Sequence, residues 1–172
     1  MMGPSGGASD VSPGTIKIIG IGQSLRGDDA AGLSAVLLWQ DTYENVAHRP
    51  HVQVELAELP GIDLLNLLEG AVCAMLVDSV RSGARAGTIH LLTPDQLENF
   101  GAGAGSAHGW GVAEALALGQ RLLPEAMPHK IMIVGIEAGD LTLGQKLSPE
   151  VETALPEAAR LIEQLVVRTC QD

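Results

Sequence analysis

The chain has 172 residues and a mass of 17.9 kDa, which fits one domain large enough to bury a hydrophobic core. Ten basic against 21 acidic residues give a formal net charge of −11, which argues against binding to nucleic acid or to an anionic membrane surface. Aromatic residues make up only 2% of the chain, so we expect a core of Leu, Val, Ile and Ala, as suits an α/β sheet.

Residues 1–14 are rich in Gly, Ser and Pro and have neither a basic segment nor an apolar segment typical of a signal peptide. We predict a disordered tail there and a single α/β domain over residues 15–172. No apolar run approaches the roughly 20 residues needed to cross a bilayer. Cys73 and Cys170 belong to no C-x-x-C pair, which predicts free thiols in a cytoplasmic protein.

From residue 15 onward, strand-like and helix-like segments alternate, which predicts a three-layer αβα sandwich around a mostly parallel sheet of about five strands. The first predicted strand covers residues 15–21. A glycine-rich turn then leads into a helix that Asp28 or Asp29 caps and that ends near Gln40. The inward side chains of this helix are predicted to be Leu33, Val36 and Leu37.

The middle of the chain is predicted to form a half-buried or edge strand, a short helix and a central strand. Residues 52–59 alternate apolar and polar side chains, as such a strand does. The helix follows Pro60-Gly61 and ends at Gly70, and its inward side chains are predicted to be Ile62, Leu65 and Leu68. Residues 71–77 are apolar on both faces, which is expected at the centre of a sheet, so Asp78 follows at the C-terminal end of a strand.

The last part of the chain is predicted to add two strands and two helices. Residues 87–92 form a strand near an edge, and a glycine-rich loop over residues 101–109 follows it. A helix over residues 111–123 and a central strand over residues 130–136 come next. The final helix begins with Ser148 as its N-cap and Pro149 at its first position, runs through Val167, and is predicted to kink or divide at Pro156.

The turn after the first strand, GIGQSLRGDDAAG, contains two adjacent carboxylates, Asp28 and Asp29. In dinucleotide-binding and P-loop proteins, the N–H groups of such a turn bind phosphate, which two carboxylates would repel. Leu25 also occupies the third glycine position of G-x-G-x-x-G, and no Gly-Lys-Ser/Thr follows. The turn therefore predicts a cation site and no nucleotide.

Asp29, Asp78 and His108 each lie near the C-terminal end of a predicted strand or in the loop beyond it, where open α/β sheets place their sites. Two carboxylates and an imidazole suit nickel, cobalt or zinc better than calcium, and three ligands leave positions open for water or substrate. The residues also admit other interpretations: Asp28 and Asp29 stabilise a helix N-terminus, Asp78 is a turn residue, and His108 is solvated. Glu137 either reaches the site or faces solvent. Weaker candidates are His48, His51, His90 and His129.

Four ordered motifs resemble the hydrogenase maturation endopeptidases. The motifs are Gly20-Ile21-Gly22 through Gly27-Asp28-Asp29-Ala30-Ala31-Gly32, Val77-Asp78-Ser79, Ser106-Ala107-His108-Gly109 and Val134-Gly135-Ile136-Glu137. The matching order and spacing extend over about residues 16–165. The resemblance implies a parallel-centred αβα sandwich and an enzyme that trims the C-terminal extension from the large-subunit precursor of nickel-iron hydrogenases.

The resemblance implies nickel ligands at Asp29, Asp78 and His108, with Asp29 and Asp78 also the catalytic candidates. Gln23 and Asp28 are predicted to support the ligands. Gln23 stands where the family usually has Asn, and its longer amide still donates and accepts hydrogen bonds. Nickel is expected to arrive bound to the active-site cysteines of the hydrogenase large-subunit precursor, which is the predicted partner. Hydrolysis would then use a metal-polarised water or a carboxylate as general base.

The sequence leaves other functions open and disfavours several mechanisms. The chain lacks H-E-x-x-H, G-x-S-x-G and any convincing Ser/His/Asp or Cys/His set, which disfavours the ordinary zinc, serine and cysteine proteases. The alternatives are a nickel-binding checkpoint protein that cuts no bond and a different hydrolase on the same scaffold. A nucleotide-binding module is disfavoured by the acidic turn.

Overall fold

The computed structural model describes residues 14–100 and 111–170, and its framework is a five-stranded sheet of order β2-β1-β3-β5-β4. Strands β1, β2, β3 and β5 are parallel, and β4 pairs antiparallel with β5. The strands are β1 (Ile16–Gly22), β2 (Val52–Glu58), β3 (Cys73–Val80), β4 (Ile89–Leu92) and β5 (Lys130–Glu137). The predicted fold class is confirmed.

Helices cover both faces of this sheet. The α-helices of the described residues are α1 (Ala31–Thr42), α2 (Glu44–Ala47), α3 (Leu64–Leu68), α4 (Pro94–Asn99), α5 (Val112–Leu122) and α6 (Pro149–Thr169). Short 3-10 helices occur at Gly27–Ala30, Gly61–Asp63 and Pro124–Ala126. Helices α1 and α6 pack on one face, and α3 and α5 pack on the other. None of the helices in this part of the chain is long and apolar enough to cross a membrane.

The core consists of two apolar layers because successive side chains of a strand point to opposite faces. Ile18 and Met75 pack with Trp39 of α1, whereas their neighbours Ile19 and Leu76 pack on the side of α3 and α5. A strand buried on both faces needs a continuous apolar run, which residues 71–77 supply. The predicted central position of this strand is confirmed, and so are the edge positions of β2 and β4.

The prediction that Asp28 or Asp29 caps the first helix is wrong. Helix α1 begins after a 3-10 turn, and its N-cap is Ala30, without a side-chain hydrogen bond. The predicted inward position of Leu37 is also wrong, because its side chain is 48% exposed. Gly32 lies very close to the carbonyl groups of β1 and β3, so the side of α1 that carries Gly32 faces the sheet. Leu37 lies on another side of the helix and therefore points outward.

The predicted inward side chains of the helix after Gly61 need correction. In the segment after Gly61, the buried side chains are Leu64 and Leu68, whereas Ile62 is 53% exposed and Leu65 is half-buried. This segment starts as a 3-10 turn, which advances the chain by three residues per turn and so changes which side chains face inward.

Pro156 does not divide the last helix. Helix α6 is continuous over 21 residues with Pro156 inside it. Pro156 is exposed, so the backbone carbonyl that loses its helical N–H partner lies on the solvent side, where water replaces the bond. Ser148 is the N-cap, as predicted, with Pro149 at the first position. The predicted tail, apart from Gly14, and the predicted loop over residues 101–109 lie outside the described residues.

Candidate active site

The carboxyl edge of the parallel strands carries several acidic side chains, of which four concern the site; Glu58 at the end of β2 accepts a hydrogen bond from the Ser24 hydroxyl at 2.6 Å. Asp28 and Asp29 follow β1, Asp78 lies near the end of β3, and Glu137 ends β5. Their surroundings differ in the number of hydrogen bonds that the protein supplies. Asp28 and Glu137 are buried and fully engaged, whereas Asp29 and Asp78 keep part of each carboxylate free. The second pair therefore provides the candidate site.

Asp28 is fully buried and anchors the turn that carries Asp29. Its carboxylate accepts hydrogen bonds from the N–H groups of Gly139 (2.8 Å), Asp140 (2.9 Å) and Ser148 (2.6 Å) and from the Ser148 hydroxyl (2.9 Å). Burial alone would raise the pKa of Asp28, but these bonds outweigh it and hold the pKa below its ordinary value. Asp28 therefore binds the segment between β5 and α6 instead of capping α1.

A close approach of α1 to the sheet places Asp29 beside β3. A side chain at Gly32 would collide with the carbonyl oxygens of Ile21 in β1 and Val77 in β3. Only glycine allows the first turn of α1 to lie this close to both strands. Asp29, three residues earlier, is thereby brought to the end of β3, next to Asp78.

Ser79 links the two free acids. Its hydroxyl donates to Oδ1 of Asp29 at 2.9 Å, and its N–H donates to Oδ1 of Asp78 at 2.8 Å. Within the described residues, neither Oδ2 has a donor, and no buried side-chain oxygen lacks a partner. Asp29 and Asp78 are both half-buried, so each side chain reaches the surface in part. Two carboxylate oxygens in this arrangement are suited to a cation brought from outside.

Electrostatic repulsion between these carboxylates favours a bound cation or proton. Burial, and then the charge of Asp29, raise the pKa of Asp78 to about 8, against the opposing effect of the Ser79 N–H. A divalent cation would relieve the repulsion and displace the proton from Asp78. The oxygen donors thus fit a divalent metal, although no third His, Cys, Asp or Glu joins them within residues 14–100 and 111–170.

The predicted third ligand, His108, lies outside the described residues. Helices α4 and α5 flank it in the sequence, and both contribute side chains to the apolar layer that contains Ala74 and Leu76. Asp78 continues the alternation of Ala74 and Leu76 along β3, so it belongs to the same face. Both flanking helices thus pack on the face of the sheet to which Asp78 belongs.

Gln23 contacts Asp29 through the backbone. Its N–H donates to the carbonyl oxygen of Asp29 at 3.2 Å, and its own carbonyl accepts from the Arg26 N–H at 3.2 Å. The Gln23 side chain has no hydrogen bond within the described part of the chain. Its predicted support of a ligand stays a prediction.

Glu137 is 1% exposed and joins three segments. Its carboxylate accepts from the N–H of Ser82 (2.8 Å), the hydroxyl of Ser82 (2.8 Å), the N–H of Gly83 (3.0 Å) and Nε2 of His90 (3.1 Å). Burial would raise the pKa of Glu137, but these bonds lower it below its ordinary value. The sequence left open whether Glu137 reaches the site or faces solvent. The solvent-facing interpretation is wrong, because Glu137 is buried.

The pairing of Glu137 with His90 was missed by the sequence interpretation, which ranked His90 among the weaker candidates. The signal available was a histidine in an otherwise apolar run, GTIHLL, together with an acid at the end of another strand. Only the antiparallel pairing of β4 with β5 brings the two residues together.

The cysteines lie at the opposite end of the strands. Cys73 begins β3 and is 3% exposed, and burial raises the pKa of its thiol. Cys170 Sγ lies 3.2 Å from Nε2 of His51, just before β2. Both cysteines are free, as predicted. Neither belongs to the candidate site.

The fold and the acidic pair define an α/β domain with a site at the carboxyl edge of its parallel strands. The family model of the HycI hydrogenase maturation proteases matches residues 42–165, which is more than half of the chain. The chain therefore belongs to the hydrogenase maturation protease family and is a peptidase. The predicted family and enzyme class are confirmed.

Individual proteins agree with this assignment. The hydrogenase expression/formation protein HoxM of Azotobacter vinelandii is 28% identical over 164 residues, which cover 91% of this chain and 77% of HoxM. HupM of Azotobacter chroococcum is 29% identical over 161 residues, covering 90% and 75% of the two chains.

Solved structures share the fold. The hydrogenase maturating endopeptidase HybD from E. coli superimposes with a TM-score of 0.73 at 20% identity, covering 90% of this chain and 93% of HybD. HybD from Thermococcus kodakarensis gives a TM-score of 0.66 at 24% identity, covering 88% and 99% of the two chains.

Proposed function

We propose that this peptidase removes the C-terminal extension from the large-subunit precursor of a nickel-iron hydrogenase after nickel has been inserted. Nickel is then part of the substrate, presented by the precursor. The observation that carries the proposal is the Asp29–Ser79–Asp78 arrangement, which leaves one oxygen of each carboxylate without a hydrogen bond from the described residues. A site of this kind contacts a metal that a partner protein brings to it.

Asp29, Asp78 and His108 are proposed as the residues that recognise nickel. The carboxylate oxygens of Asp29 and Asp78 are the described part of this donor set. The four hydrogen bonds to Asp28 support Asp29, because they fix the turn on which Asp29 lies. Gln23 adds a backbone hydrogen bond to Asp29. Asp78 would lose its carboxyl proton when it binds the metal. In the free protein, burial and the charge of Asp29 favour the protonated form.

Cleavage consumes one water molecule for each peptide bond. The proposed specificity arises because a nickel-loaded precursor docks with its metal against Asp29 and Asp78, which positions the nearby peptide bond for attack. Membership of a protease family favours cleavage over a checkpoint that inspects nickel without cutting.

Intact-mass spectrometry of the nickel-loaded cognate precursor tests the proposal. We expect the wild-type protein to remove a discrete C-terminal peptide and Asp29→Asn to leave the precursor intact. Asp41→Asn is the matched control, because Asp41 is an exposed residue of α1 away from the site. Failure of the wild-type protein to cut a nickel-loaded precursor would refute the proposal.

A further inference from the structure

One row of residues crosses the carboxyl edge of the sheet from Asp78 to His90. Asp78 on β3 pairs with Gly135 on β5, and Gly135 pairs with His90 on β4. Paired residues of neighbouring strands point to the same face of a sheet. Asp78 and His90 therefore lie on one face with a single strand between them, and their Cα atoms are about 10 Å apart, from the spacing of strands.

The residue between them has no side chain. A Cβ at Gly135 would come within 2.9 Å of a methyl carbon of Val80, so the Val80 side chain already lies over this glycine. The methyl groups of Val80 thus occupy the position between Asp78 and His90 and make the surface between them apolar.

His90 is held in one orientation. Its Nε2 lies 3.1 Å from Oε2 of Glu137, and its ring meets the ring of Phe100 edge to face, with 4.7 Å between centroids. Because the ionised carboxylate only accepts hydrogen bonds, Nε2 carries a proton, and Nδ1 is the acceptor whenever the ring is neutral.

The second ring nitrogen of His90, Nδ1, has no hydrogen-bond partner within the described residues. The His90 side chain is 17% exposed, against 2% for Glu137. The imidazole therefore reaches the surface in part, while a buried carboxylate holds its Nε2 side.

The hydrogen bond of Ser82 excludes a nucleophilic serine in this group. The Ser82 hydroxyl donates to Oε2 of Glu137 at 2.8 Å, so it bonds to the carboxylate and not to His90. A serine nucleophile needs the imidazole as its direct partner. The pair of His90 and Glu137 is instead suited to activating water.

We propose that His90 is the general base that activates water for peptide-bond cleavage and that Glu137 is its positioning residue. This inference rests on the proposed function of the site. Nδ1 of His90 takes a proton from water as the oxygen forms a bond to the scissile carbonyl carbon. The proton then passes to the departing nitrogen as the C–N bond breaks, which leaves a carboxyl group and an amine.

Single-turnover cleavage of the nickel-loaded precursor by His90→Ala tests this role. We expect the cleavage rate at saturating enzyme to fall by about 100-fold or more, the usual range for loss of a general base. Affinity for the precursor, measured separately by surface plasmon resonance, should stay unchanged. Added imidazole should restore part of the cleavage, because it occupies the space of the missing ring and supplies the base.

The controls separate this role from a structural one. His48→Ala, which removes an exposed histidine bonded to its own helix, should cleave at the wild-type rate. The wild-type enzyme in the same imidazole buffer controls for loss of nickel. His90→Gln, which keeps a hydrogen bond to Glu137, should fold with a wild-type melting temperature and still be slow.

The outcomes distinguish the inference from the function on which it rests. Wild-type cleavage together with full activity of His90→Gln would overturn the role of His90 and leave the proposed function intact. Weakened binding with an unchanged rate at saturation would also overturn it. Absence of cleavage by the wild-type protein would overturn both.

Discussion

Replacing Asp28 by asparagine should lower the free energy of unfolding while leaving Asp29 and Asp78 in place. The carboxylate accepts four hydrogen bonds from a segment more than 100 residues away in the sequence. Three of them, from the N–H groups of Gly139 and Asp140 and the hydroxyl of Ser148, end on Oδ2. An asparagine retains one acceptor oxygen, and its NH₂ group would face a donor. If the oxygen keeps the three bonds at Oδ2, the Ser148 N–H, now 2.6 Å from Oδ1, loses its acceptor.

The size of the effect follows from these bonds. Hydrogen bonds to a charged group contribute about 1.5–3 kcal/mol each, and a buried donor left unsatisfied costs about 1–3 kcal/mol. Loss of one bond and weakening of the others predicts a decrease of about 3–4 kcal/mol in the free energy of unfolding. For a domain of this size, that corresponds to a melting temperature lower by about 6–15 °C.

Urea unfolding followed by circular dichroism measures this decrease. Asp41→Asn, an exposed change on α1, should stay within about 0.5 kcal/mol of the wild-type protein. If the free energy of unfolding of Asp28→Asn is lower by less than about 1 kcal/mol, the reasoning is refuted, because the segment after β5 would then not depend on the Asp28 charge.

Three further predictions follow from the same edge of the sheet. The pKa values of Asp28 and Glu137 lie below their ordinary values in the folded protein, so the unfolded chain binds more protons in acid. The stability that these two carboxylates contribute at neutral pH should therefore be lost as the pH falls below about 4. A midpoint of urea unfolding that does not change between pH 6 and pH 3 would contradict this prediction. Ser79→Ala should slow precursor cleavage about tenfold, because Asp29 loses one hydrogen bond worth about 1.5 kcal/mol, while the melting temperature changes little; unchanged cleavage would remove Ser79 from the site. Asp78→Asn replaces an acid whose ionisation is disfavoured by burial and by the charge of Asp29, so the variant should fold at least as stably as the wild-type protein. It should fail to process precursor, and a strongly destabilised variant would contradict the expected stability.

The sequence was sufficient for the order of the five strands and the longer helices and for the central strand, but the short helices α2 and α4 were not predicted. A run such as residues 71–77, apolar at every position, needs cover on both faces, and local composition reveals this. The phase of the helices was not predictable in the same way. The direction of Leu37 depends on the contact of Gly32 with two strands, which no local pattern reveals.

For the candidate site, the strand ends were sufficient to predict that Asp29 and Asp78 lie close together. The role of Asp28 could not be predicted, because its partners begin 111 residues later in the chain. His90 and Glu137 are 47 residues apart and meet only through an antiparallel edge strand. A prediction based on alternating strands and helices assumes parallel neighbours and therefore misses such a pair.

Nickel dependence of cleavage tests the central claim most directly. The large-subunit precursor is prepared with and without nickel, incubated with the wild-type protein or with Asp78→Asn, and analysed by intact mass. We predict loss of a C-terminal peptide only when the wild-type protein meets the nickel-loaded precursor. Equal cleavage of the nickel-free precursor would contradict the proposal that Asp29 and Asp78 recognise the metal before the bond is cut.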